Sequence, residues 1–122
     1  MKKLNCYICS VFITCFMSVN VWCEKVLIVA DEWPQMDYLA EQLEKEMDFD
    51  VDKFEQKQLP LDISTYHAAF MFVHGAFDEK PAKTLMDYTK AGGRLIVLHH
   101  GISSKKKETP GWLPFLGIYL DR

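Results

Sequence analysis

Apolar positions follow two alternating rhythms along this chain. Lys25-Val-Leu-Ile-Val-Ala30, Ala68-Ala-Phe-Met-Phe-Val73 and Arg94-Leu-Ile-Val-Leu98 are apolar at nearly every position, as in strands buried on both faces of a parallel sheet. Residues 48–54 alternate instead, with Phe49 and Val51 against an acidic face, which suits an edge strand. Helical spacing fills the intervals. Met36, Leu39, Ala40, Leu43 and Met47 share one face of a helix over residues 34–47, and Pro34 fits its first turn. Ala82, Leu85, Met86 and Thr89 mark the buried stripe of a second helix. Asp78 is placed to cap it, Pro81 is tolerated in its first turn, and Gly92 closes it in the left-handed conformation.

Between these elements Leu59-Pro60-Leu61-Asp62 breaks the chain, and residues 64–67 suit a short helical turn. Beyond Gly101 the run Lys105-Lys106-Lys107 reads as a solvated loop. A Thr109-Pro110-Gly111 turn and the segment Trp112 to Gly117 follow. Alternating strands and helices imply right-handed β-α-β units. The expected fold is α/β: a flavodoxin-like three-layer sandwich on a parallel sheet of order 2-1-3-4.

The amino terminus has a different character. Lys2 and Lys3 precede an apolar stretch from about Cys6 to Trp22, the pattern of a secretory signal peptide. Residues 1–23 are therefore expected to be a leader and residues 24–122 the exported domain, periplasmic or extracellular and free of the membrane after cleavage. An uncleaved anchor is the alternative, since the stretch almost reaches spanning length. All four cysteines (Cys6, Cys9, Cys15, Cys23) lie in the leader, so the remainder has no disulfide, thiolate metal site or cysteine nucleophile. Without the two leader lysines, 12 of the 14 basic residues face 17 acidic ones, a net charge of about −5, which argues against a nucleic-acid partner.

Candidate chemistry gathers where the strands end. Ligands of open α/β sheets bind beyond the carboxyl ends of the strands. There the chain places Asp31 and Glu32, then His74 and Gly75, then His99, His100 and Gly101. His99, His100, His74 and Asp31 are the candidate catalytic groups, because imidazole and carboxylate together do acid-base work near neutral pH. Glu32, Trp33, Gly75, Gly101 and Trp112 are the candidate substrate contacts, the tryptophans as stacking faces for a sugar ring. The same set could hold a divalent metal such as zinc, although the residue pattern assigns none. Continued strand geometry would send His99 and His100 to opposite sides, so that one faces the crevice. The bland alternative packs one histidine under the loop, exposes the other, and leaves both tryptophans as ordinary packing. His67, ahead of a strand, reads as a surface residue, and Met36, Met47 and Met86 as core.

Lys25-Val-Leu-Ile-Val-Ala30, Tyr66-His-Ala-Ala-Phe70, Tyr88-Thr-Lys-Ala-Gly-Gly-Arg-Leu-Ile-Val-Leu-His99 and Trp112 to Gly117 resemble the trehalose-utilisation (ThuA-like) domain family. The resemblance implies a class I glutamine amidotransferase-like fold and a role with a small carbohydrate derivative. It implies hydrolase- or isomerase-like chemistry at the His99/His100 strand end. Domains of that family are about twice as long, so the chain is expected to correspond to their N-terminal portion. In amidotransferases the turn after this strand carries a cysteine; here His99-His100-Gly101 occupies it, which excludes thiol-based glutamine hydrolysis. Ser103 and Ser104 lie beyond the turn and lack the Gly-x-Ser-x-Gly frame. A non-catalytic carbohydrate- or partner-binding module, or a non-functional truncated product, are the other readings.

Overall fold

The computed structural model describes residues 23–121, so the expected leader lies, but for Cys23, outside the described residues. Four strands, β1 (Lys25–Ala30), β2 (Asp50–Phe54), β3 (Ala68–Phe72) and β4 (Arg94–Val97), form one sheet in the order β2-β1-β3-β4. Every pairing is parallel, with Val26 opposite Val51 and Ala68, and Ala68 opposite Arg94. Helices α1 (Pro34–Met47), α2 (Glu79–Lys90) and the short α3 (Trp112–Phe115) complete a small flavodoxin-like α/β sandwich. Among the described residues, no helix is long and apolar enough to cross a membrane.

The layers follow from the two-residue period of a strand. Leu27 and Val29 of β1 join Ala69 and Met71 of β3 on one face, where Ala82, Leu85 and Tyr88 of α2 and Trp112 and Leu113 of α3 cover them. Ile28, Ala30 and Phe72 face the other way, onto Met36 and Ala40 of α1. Central β1 is buried after its first residue. By contrast β4 is not buried on both faces, as its apolar run suggested; it is the outer strand of the sheet and half-buried at Leu95, Ile96 and Val97.

Other local expectations need correction. Met47 is 60% exposed, because α1 ends there and Asp48 turns left-handed at φ 56°. Asp78 sits at the amino end of α2 without a side-chain capping bond. Its own backbone N–H instead donates to Gln56 Oε1 at 2.9 Å. Residues 64–65 make a turn rather than a helical segment. At the other end of α2, Gly92 takes φ 101°, a conformation costly for any residue with a Cβ.

Candidate functional site

The carboxyl ends of β1, β3 and β4 deliver three short segments to one edge. Asp31 and Glu32 follow β1, His74 and Gly75 follow β3, and a tight 3-10 turn, His99–Ile102, follows β4. The strand conformation stops at Val97, and His99 takes a left-handed backbone, φ 52°. That reversal puts His99 and His100 on the same side, ring centroids 3.9 Å apart, and not on opposite sides as a continued strand would. His74 meets both, at 4.9 Å from the His99 ring and 4.7 Å from His100. Phe72, buried beneath, lies edge-on to His74 and roughly parallel to His99. The three histidines therefore form one cluster over an apolar floor.

Its polar groups are only partly satisfied. His74 Nδ1 and His100 Nδ1 are buried without a hydrogen-bond partner, as is Ser103 Oγ in the same turn. The Glu32 carboxylate comes to 3.4 Å from His74 Nδ1 and that of Asp31 to 3.8 Å, neither in hydrogen-bonding geometry. Native proteins rarely leave buried nitrogens without partners, and where they do a functional reason is worth seeking. Burial, with the neighbouring His99, His74, Lys105 and Lys106, holds His100 below the ordinary imidazole pKa.

The loop that carries His74 is fastened by four side chains from three other segments. Asp31 accepts the backbone N–H of His74 at 2.8 Å and of Gly75 at 2.8 Å. Burial alone would raise this carboxyl, but the N–H bonds from Gly75 and His74 outweigh it and hold Asp31 below its usual value. Lys106 Nζ donates to the Gly75 carbonyl at 2.7 Å. Gln56 donates to the Ala76 carbonyl at 2.9 Å while accepting from Asp78. Thr109 Oγ1 donates to the Phe77 carbonyl at 2.7 Å. A backbone held at this many points fixes the position of His74 before any ligand arrives.

Two of the expected substrate contacts, Trp112 and Gly101, are turned into the core. Trp112 is fully buried between Phe77 and Phe115 and donates its indole N–H to the Gly101 carbonyl at 2.9 Å. It braces the histidine turn from inside and offers no stacking face. Gly101 is buried as well. A Cβ there would lie 2.6 Å from Met71 Sδ and from Val97 Cγ1, so the residue lets the turn pack on the sheet rather than touch substrate. Trp33 is half-buried against the α1 side of the core, and Gly75 is exposed beside Asp31. Lys106, in a run expected to be solvated, is fully buried, and its burial depresses the ammonium pKa against the opposing pull of Asp31. Gln56, Lys106 and Thr109 have no periodicity or motif that marks them in advance.

His67 lies elsewhere, at the amino ends of the strands, with its Nδ1 3.1 Å from Glu24 and its Nε2 against Arg94. A cavity of about 500 Å³ opens at that end, lined by Ile63, Tyr66, Thr84 and Arg94 among others. Its lining also includes Asp62, His67 and Asp87, but among the described residues no three such groups converge there as the histidines do at the other edge. We place the candidate site at the histidine edge, the side on which parallel α/β sheets bind ligands. No protein-family model, curated protein or solved structure matches the chain.

Proposed function

We propose that the chain is an exported protein of the ThuA-like kind, acting on a sugar or sugar derivative by acid-base chemistry at the carboxyl edge of its sheet. The observation that carries this reading is the convergence of His74, His99 and His100 beside the Glu32 carboxylate. His99 is the exposed member and the first to meet a ligand. His74 is the fixed member, and Glu32 stands 3.4 Å from its Nδ1, where a small rotation would let the carboxylate accept an Nδ1–H hydrogen bond and set the tautomer. Asp31, whose oxygens are engaged by the backbone, acts as a positioning residue. An imidazole set of this kind supports proton transfer in hydrolysis or isomerisation of a carbonyl-bearing sugar.

The test is turnover of a panel of keto-sugar and disaccharide derivatives. His99→Gln and His74→Gln should each lower kcat/KM by about two to four orders of magnitude, with a much smaller change in affinity. Unchanged turnover in both variants of an active protein would end this reading. The competing reading, a binding module, draws only on the half-exposed Trp33 beside Glu32. It expects binding weakened by Trp33→Ala and no turnover at all. Export has its own measurement: mass spectrometry of the secreted protein should find Glu24 or a near neighbour first, and an intact Met1 in the membrane fraction would reject cleavage.

A further inference from the structure

We infer that His74, His99 and His100 form a binding site for one divalent transition-metal ion of the zinc class. One nitrogen from each residue can be chosen so that all three lie within 4.8 Å of one another. Among the described residues no other set of three histidine, cysteine or carboxylate side chains is gathered in this way. Tetrahedral ligation at zinc–nitrogen distances places ligand nitrogens about 3.4 Å apart. The 4.8 Å limit is somewhat wider than this, so ligation would call for a small closing of the rings, of which His99 is the exposed one.

Two further features point to a cation. His100 Nδ1 is buried without a partner, which a metal or the water bound to it would satisfy. Glu32 stands 3.4 Å from His74 Nδ1, the position of a carboxylate that orients a ligating imidazole and leaves Nε2 for the metal. Three protein nitrogens with one side open is the arrangement of zinc sites that keep a coordinated water.

Charge selects among ions. Asp31 and Glu32 near the cluster are balanced by Lys105 and Lys106, so the local field gives a cation little help. Affinity must come from imidazole donors, which favour zinc, cobalt, nickel and copper over magnesium or calcium. The inference rests on the histidine cluster being the functional centre, as proposed above, but not on the identity of the substrate.

The experiment titrates the purified, metal-free protein with zinc and with cobalt(II) alone, reading stoichiometry by elemental analysis and coordination by the cobalt d–d bands. One equivalent is expected, with tetrahedral-type absorption and a rise in Tm on zinc addition. His74→Gln and His99→Asn should weaken binding at least tenfold. Asparagine is chosen at 99 because it tolerates the left-handed backbone, and circular dichroism checks that each variant is folded. His67→Gln, at the opposite end of the sheet, should bind as the parent does. Absence of stoichiometric binding, or binding that survives both cluster variants, would overturn the inference. Absence of binding together with turnover of a sugar substrate would overturn the inference and leave the acid-base reading standing. Stoichiometric binding without turnover of any sugar tested would instead support the metal site and count against the proposed substrate.

Discussion

Lys106 donates its ammonium to the Gly75 carbonyl at 2.7 Å, tying the segment after β4 to the loop after β3. The bond crosses from the turn that carries His99 and His100 to the loop that carries His74. A buried cation would be costly if it were unpaired. Here the carbonyl and the nearby Asp31 carboxylate offset that cost.

Amine chemistry should see this burial directly. Under mild acetylation, peptide mass spectrometry should find Lys105 and Lys107 modified and Lys106 protected, since only Lys106 of the three is buried. Comparable labelling at all three would contradict the packing. Lys106→Glu should cost about 3–5 kcal/mol, because it sets a buried carboxylate against a carbonyl oxygen. Lys106→Met should cost far less, as its volume is kept and the exposed Gly75 can turn its carbonyl to water.

His99 holds a left-handed backbone, φ 52°, which costs a residue with a Cβ roughly 1–2 kcal/mol. His99→Gly should therefore leave stability unchanged or raise it by up to about 1 kcal/mol, glycine's extra freedom in the unfolded chain offsetting part of the relief. His99→Val should lower it by about 1–2 kcal/mol, since a β-branched residue resists this conformation more strongly. Urea midpoints of the three proteins decide the matter. A glycine variant less stable than the parent by more than about 1 kcal/mol would mean that the ring, not the backbone, dominates at this position.

High pH provides an independent check on the core. Burial and the bond to Asp52 push the Tyr66 phenol well above its usual value, and burial raises Tyr88, whose hydroxyl donates to the Tyr66 carbonyl at 2.9 Å. A phenol that is harder to ionise when folded keeps its proton longer in the native state than in the unfolded one. The stability it contributes is fully present below about pH 10, the unfolded value, and is lost as pH rises through the folded one. Tyrosinate absorbance should thus show two late-titrating phenols, and the Tyr66→Phe, Tyr88→Phe double variant should lose less stability between pH 9 and 11 than the parent. Equal losses in the two proteins would refute the assignment.

Much of the scaffold was legible from spacing alone. The bounds of α1 follow from Pro34 and from the stripe Met36, Ala40 and Leu43, and the strand order is the one expected of a flavodoxin-like sheet. The site was legible in membership but not in geometry. That His99 and His100 share a side depends on a single left-handed residue, which no hydrophobic pattern encodes. Lys106 looked solvated because a run of three lysines ordinarily is; its burial depends on Gly75 and Asp31, distant in sequence. Trp112 looked equally suited to stacking or packing, and the indole bond to Gly101 that decides between them becomes visible only once the chain has folded.

The three imidazoles come from two stretches of chain separated by α2 and β4. Their proximity therefore dates a step in folding. Helix α1 can form early from local contacts, but His74 meets His99 only after the crossover closes and β4 docks on β3, a non-local pairing and an inherently slow one. A probe at this cluster would keep time for the chain: silent while separate elements form, and reporting only when the last strand of the sheet is in register.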